Sequence, residues 1–118
     1  MTIEELINRV FSTRDAAHLT HWTTKSYAEH QALGEFYDEV IERLDTLVEA
    51  YQGYFGLIGT VGLKQISYQD FLEFIGDEAK LICECRSEIA KNTPAIENLV
   101  DNLAEVYFKT FYKLANLK

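Results

Sequence analysis

Proline occurs once in this 118-residue chain, and no histidine follows position 30. A single proline leaves few enforced breaks, so long regular elements are expected. Basic residues are scarce: eleven Lys and Arg against nineteen Asp and Glu give a formal net charge of −8. No basic run exists to neutralise phosphates, which argues against a grip on nucleic acid. The same acidic balance argues against an anionic membrane surface. No apolar run approaches the roughly 20 residues of a membrane span. The opening MTIEELINRV carries acids and lacks the apolar stretch of a signal peptide, so a cytoplasmic protein is expected. The only cysteines are Cys83 and Cys85. Two residues apart on a helix, they stand about 200° from one another. They can neither bridge nor chelate one metal together, and read as reduced small hydrophobes.

What is present is apolar patterning. Hydrophobic residues make up 47% of the chain, enough for one globular domain over residues 1–118 with its own core. Thr2 and Glu5 form a capping box. The first helix then runs to about Lys25, with Ile3, Leu6, Ile7, Val10, Phe11, Ala17 and His21 recurring on one side. Ser26 with Glu29 repeats the box and opens a second helix to about Gln52. Its stripe is Leu33, Tyr37, Val40, Ile41, Leu44, Leu47, Val48 and Tyr51. Ser67 with Asp70 is expected to open a third helix to about Lys91. Thr93 and Pro94 then start a fourth, to about Leu117, which carries Ile96, Leu99, Val100, Leu103, Val106, Tyr107, Phe111 and Leu114.

The connections are unequal. Joins one–two and three–four are short, which makes antiparallel hairpins. GYFGLIGTVGLKQI, residues 53–66, holds four of the six glycines and is long enough to travel the length of a bundle. The expected fold is therefore all-α, a ferritin-like four-helix bundle with one long crossover between helices 2 and 3.

All three histidines fall within HLTHWTTKSYAEH, residues 18–30. His21 closes helix one and His30 sits in the first turn of helix two. Asp45 and Glu49 lie four residues apart on one face of helix two. From His30 to Asp45 is about 22 Å along a helix, so one chain cannot close all four around one ion by that helix. A two-fold dimer with antiparallel second helices brings the histidine end of one copy to the carboxylate end of the other. Two imidazoles and two carboxylates suit iron, zinc or manganese. Without metal, the same histidines serve as a hydrogen-bonded network at the dimer interface. His18 reads as a supporting or surface group, Trp22 as core or interface packing, and Glu29 as part of a cap. A di-iron site inside one bundle needs Glu-x-x-His on two helices, and the chain has none.

These residues resemble the Dps family, the miniferritins. That family has His-Trp at the end of helix one, as His21-Trp22 here, and a second histidine opening helix two, as His30. An Asp and a Glu follow at +15 and +19, matched by Asp45 and Glu49, and an aromatic at +7, matched by Tyr37. NLVDNLAEVYFKTFYKLANL is similar to the family's last helix. The likeness is good over residues 6–52 and loose elsewhere. The link from His21 to His30 is three residues shorter than the family's, the crossover is short, and there is no lysine-rich tail. The chain looks like a short version similar to phage-encoded members. The resemblance implies Fe(II) binding between two-fold related subunits, with His21 and His30 from one and Asp45 and Glu49 from the other. It also implies ferroxidase, iron-storage or oxidative-protection activity in a homo-oligomer, at least a dimer and in its extended form a dodecamer. The rival reading is a non-catalytic helical-bundle assembly module, phage-encoded, that keeps the fold and interface without metal chemistry.

Overall fold

The computed structural model describes all residues, 1–118, as five helices: α1 (Ile3–Thr23), α2 (Tyr27–Phe55), α3 (Phe71–Glu84), α4 (Arg86–Ile89) and α5 (Pro94–Asn116). Local chemistry sets most of the boundaries. The Thr2 hydroxyl accepts from Glu5 N–H at 3.2 Å, while Glu5 accepts from Thr2 N–H at 3.3 Å, a complete capping box. At α2 only half the box forms: Ser26 Oγ accepts from Glu29 N–H at 3.2 Å. Pro94 sits at the start of α5, where its missing N–H costs nothing.

Two expectations about the third helix are corrected. It begins after Asp70, not at Ser67, and Asp70 is itself the cap, accepting from Glu73 N–H at 2.9 Å. A capping box needs Glu or Gln at its fourth position, and an aspartate caps better than it reaches back. The helix also breaks at Cys85 (φ −93°, ψ 5°), which splits the expected run to Lys91 into α3 and α4. Just past the break, Arg86 forks onto Asp101 of α5 at 2.6 and 2.9 Å. The chain then turns through two left-handed residues, Lys91 (φ 51°) and Asn92 (φ 57°). Asn tolerates that region. Lys91 is held there by its ammonium, 4.7 Å from the Phe55 ring centre and 5.4 Å from that of Tyr51.

The packed pairs are α1 with α2, α2 with α5, α5 with α3, and α3 with α1. The amino group of Met1 pairs with Glu88 of α4, and Lys91 meets the end of α2, so these share one end of the molecule. Thr20, Glu29, Phe71 and Leu114 line one surface at the other end. Every packed pair of long helices is thus antiparallel, while α2 and α3 point the same way. Residues 56–70 make the return trip without a helix. They lie along α1: the Asn8 amide donates to the Gly62 carbonyl (2.9 Å) and accepts from Lys64 N–H (2.7 Å). Ser12 Oγ accepts from Ile66 N–H at 3.0 Å.

The core contains Leu6, Val10, Leu33, Phe36, Ile75, Leu103 and Tyr107, all buried. Tyr107 meets Phe36 edge-on, ring centres 5.1 Å apart. Phe11, expected on the buried side of helix one, is instead exposed, because α2 and α3 cover a narrower arc of α1 than the stripe spans. His21, placed by its spacing on that stripe, is only half-buried. No helix is long and apolar enough to cross a membrane.

One ion pair lies inside. Arg9 of α1 forks onto both oxygens of Glu78 of α3 at 2.9 and 2.8 Å, and Glu78 is only 4% exposed. Burial lifts the Glu78 carboxyl above its ordinary range, against the pull of the Arg9 guanidinium. Tyr107's hydroxyl is also buried, without a hydrogen-bond partner, and burial raises its pKa. A carboxyl whose folded pKa is raised contributes stability below its unfolded pKa and loses it as pH rises through the folded value. Arg9→Met leaves Glu78 buried and alone, which costs about 3 kcal/mol at neutral pH. Urea denaturation at pH 7 and pH 5 is expected to show a smaller loss at pH 5, because a buried carboxyl without its guanidinium takes up a proton more readily than an ordinary one. An equal loss at both would place the effect elsewhere.

Candidate functional site

α1 ends at Thr23 and α2 begins at Tyr27, so three residues turn the chain and bring His21 against His30. The two rings stack with centres 3.7 Å apart and planes 16° from parallel. Each ring also reaches the other residue's backbone: His21 Nδ1 lies 2.7 Å from the His30 carbonyl, and His30 Nδ1 lies 2.9 Å from the His21 carbonyl. A carbonyl only accepts, so both rings carry their proton on Nδ1. The exchange occupies a carbonyl in the last turn of α1 that has no helical partner. In the neutral rings Nε2 is left with its lone pair, which is the ligating form of an imidazole whose other nitrogen is tied to a carbonyl.

Gly34, one turn beyond His30, makes room for this. A Cβ built there stands 3.2 Å from His21 Cε1, tighter than ordinary contact. His18 stacks on Tyr37 of α2 at 4.1 Å between ring centres and meets Trp22 at 4.6 Å. The Arg14 guanidinium stands 5.2 Å from the Tyr37 ring centre. The result is a layered group of rings between the outer edges of α1 and α2. Trp22 lies at one border, 67% exposed, and Tyr27 at another, 76% exposed, its ring centre 6.4 Å from that of His30. The spacing of H-x-x-H-W marks these residues, but nothing in it marks Gly34 or Arg14 as their support.

Asp45 and Glu49 are exposed on α2. They lie about 22 and about 28 Å along the helix from His30. By helical phase they stand about 60° and about 100° around α2 from His30, on its outer side. The single chain therefore joins His21 to His30 and keeps Asp45 and Glu49 apart from them. Within one chain no three of His, Cys, Asp and Glu come together as a metal site. The cysteines are both free, Cys83 exposed and Cys85 half-buried at the end of α3, where its N–H donates to the Leu81 carbonyl at 3.0 Å.

The acidic surface continues along α2: Asp38 and Glu42 share the face of Asp45 and Glu49, and Glu35 and Glu39 lie further round. Part of it is neutralised from α5: Lys113 meets Glu35 at 2.7 Å and Lys109 meets Glu39 at 2.9 Å. The Lys113 hydrogen bond and charge hold Glu35 below its ordinary pKa. These pairs tie α2 to α5. They also explain the cluster of cations on the last helix, which faces α2's acids.

A curated protein of Enterobacteria phage T4 is similar to this chain: "Uncharacterized 14.6 kDa protein in mobD-ri intergenic region". It is 25% identical over 114 residues, which cover 95% of this chain and 87% of that protein. No solved structure matches. A family model matches residues 21–114, from the first of the paired histidines to the end of the last helix's buried stripe, and the chain belongs to that family, the family of unknown function DUF5856.

Proposed function

We propose that this chain is a non-catalytic helical-bundle assembly module, phage-encoded, that pairs with a second copy. The observation that carries this reading is the exposed aromatic end of the α1–α2 hairpin. Trp22 and Tyr27 stand in solvent there, Trp22 against the His18 ring that stacks on Tyr37 and Tyr27 near the His30 ring. Large apolar groups gathered at one exposed place mark an interaction surface. The concave surfaces on α2 and at the start of α3, by contrast, are open and lined largely by polar residues, unlike the apolar cleft that holds a small substrate. The likeness to a phage protein supports the phage origin. The antiparallel neighbours joined by a helix-free return between two parallel helices support a ferritin-like topology.

Trp22→Ser removes the largest exposed ring while leaving the core intact. It is expected to weaken self-association at least tenfold in sedimentation equilibrium, about 1.4 kcal/mol. A wild-type chain that stays at its 13.6 kDa monomer mass at high micromolar concentration rejects the module reading.

One observation favours a second reading, in which the same interface holds iron. The His21 and His30 rings are each fixed by Nδ1 on a carbonyl, with Nε2 left to ligate. Asp45 and Glu49 of a two-fold mate would complete a mixed nitrogen and oxygen set, which zinc or manganese also suits. Iron bound there would supply a redox centre. The protein's own part is to fix two imidazole tautomers and hold the rings parallel. Fe(II) or Mn(II) titrated into His30→Ala or Asp45→Ala is then expected to show no site, although the two positions lie far apart on one helix. After proven subunit exchange, a mixture of the two is expected to recover about a quarter of the wild-type sites, since a heterodimer keeps one intact set. A mixture that stays empty excludes the shared site and leaves the module reading standing.

A further inference from the structure

The return segment between α2 and α3 is held by α1 in an unusual way. Asn8 and Ser12 are four residues apart on α1, a rise of about 6 Å. Lys64 and Ile66, whose N–H groups they receive, are two residues apart in an extended chain, a rise of about 6.6 Å. One helical turn thus matches one strand repeat, and side chains of α1 stand in for a neighbouring strand. Asn8 bonds the Gly62 carbonyl and Lys64 N–H, and Ser12 bonds Ile66 N–H and the Lys64 carbonyl at 3.4 Å. Residues 62, 64 and 66 therefore point their backbone groups at α1.

In an extended chain the residues between them point theirs the other way. Val61, Leu63 and Gln65 have no hydrogen-bond partner within the chain for either N–H or C=O. Leu63 is 82% exposed. The segment is an open strand edge of the kind that pairs with another extended chain.

The geometry points to its occupant: the same segment of a second copy, paired antiparallel about a two-fold axis through Leu63. This deepens, and rests on, the reading of the chain as a self-assembling module. The pairing segment itself carries no acid to repel its copy: in a chain of net charge −8, residues 52–69 contain one charged group, Lys64. Charge also selects the register. With Leu63 opposite Leu63, Val61 faces Gln65 and each Lys64 faces Gly62 of the other copy. Moving the axis to residue 64 sets the two lysines directly opposite, which destabilises a strand pair.

Two variants test this on the full chain. Leu63→Pro removes one outward N–H and none of the bonds to α1, and proline is tolerated at a strand edge. It is expected to keep the helical circular dichroism of the wild type. Its mass by light scattering should fall from twice the 13.6 kDa chain mass to a single chain. Leu63→Cys, with Cys83 and Cys85 replaced by serine, places two thiols at a directly paired position, with Cα atoms about 5.5 Å apart and within disulfide reach. It should cross-link under mild oxidation. Val61→Cys in the same background should not, since its copies stand about 14 Å apart in that register. A dimeric Leu63→Pro protein, or absence of the residue-63 cross-link, overturns strand pairing. If Trp22→Ser nonetheless dissociates the dimer, the assembly reading survives through the hairpin face. A monomeric wild type overturns both.

Discussion

α2 and α3 run in the same direction, so the chain must travel the full length of the molecule between them. That return is the constraint on which the arrangement depends. It lets each long helix have antiparallel neighbours, and it lets both short joins be tight hairpins. It also puts some fifteen residues of backbone on the surface of α1, whose polar groups need partners or water. The solution is spare: one asparagine and one serine on α1, and glycines where the chain leaves α2. Gly56 and Gly59 carry φ of 96° and 80°, which only glycine adopts without strain.

Much of this was legible in the sequence where the cause is local. Thr2 with Glu5, Ser26 with Glu29, and Thr93 with Pro94 mark helix starts because caps act over three or four residues. The third helix starts three residues later than the sequence suggests, because two candidate caps, Ser67 and Asp70, stand one turn apart. The break at Cys85 has no glycine or proline to announce it. What the sequence hid were contacts across long separations. Glu78 sits between Asp77 and Ala79 like any surface acid until Arg9 of another helix reaches it. Asn8 reads as a polar position of α1 until residues 62–64 are laid beside it.

The candidate site shows the same division. The closeness of His21 and His30 follows from a short link between two helices, and spacing alone reaches that far. Their mutual bonds to each other's carbonyls do not follow from spacing, because they need the two helix ends at one particular separation, which Gly34 helps set. Asp45 and Glu49 match a spacing without meeting a partner in the chain.

The bonds from Asn8 and Ser12 join residues more than fifty positions apart in the chain. Loop closure over such a distance is costly until other contacts have brought the ends together. The two hairpins are local and form early. The return segment is therefore laid onto α1 late in folding, as a finishing step on a nearly complete bundle. Before that moment residues 57–69 are an unpaired, almost uncharged stretch with exposed leucines, the part of the nascent chain most open to wrong partners. Asn8 and Ser12 then act as guardians of folding as much as of structure, because they capture one edge of that stretch and leave only the other to choose.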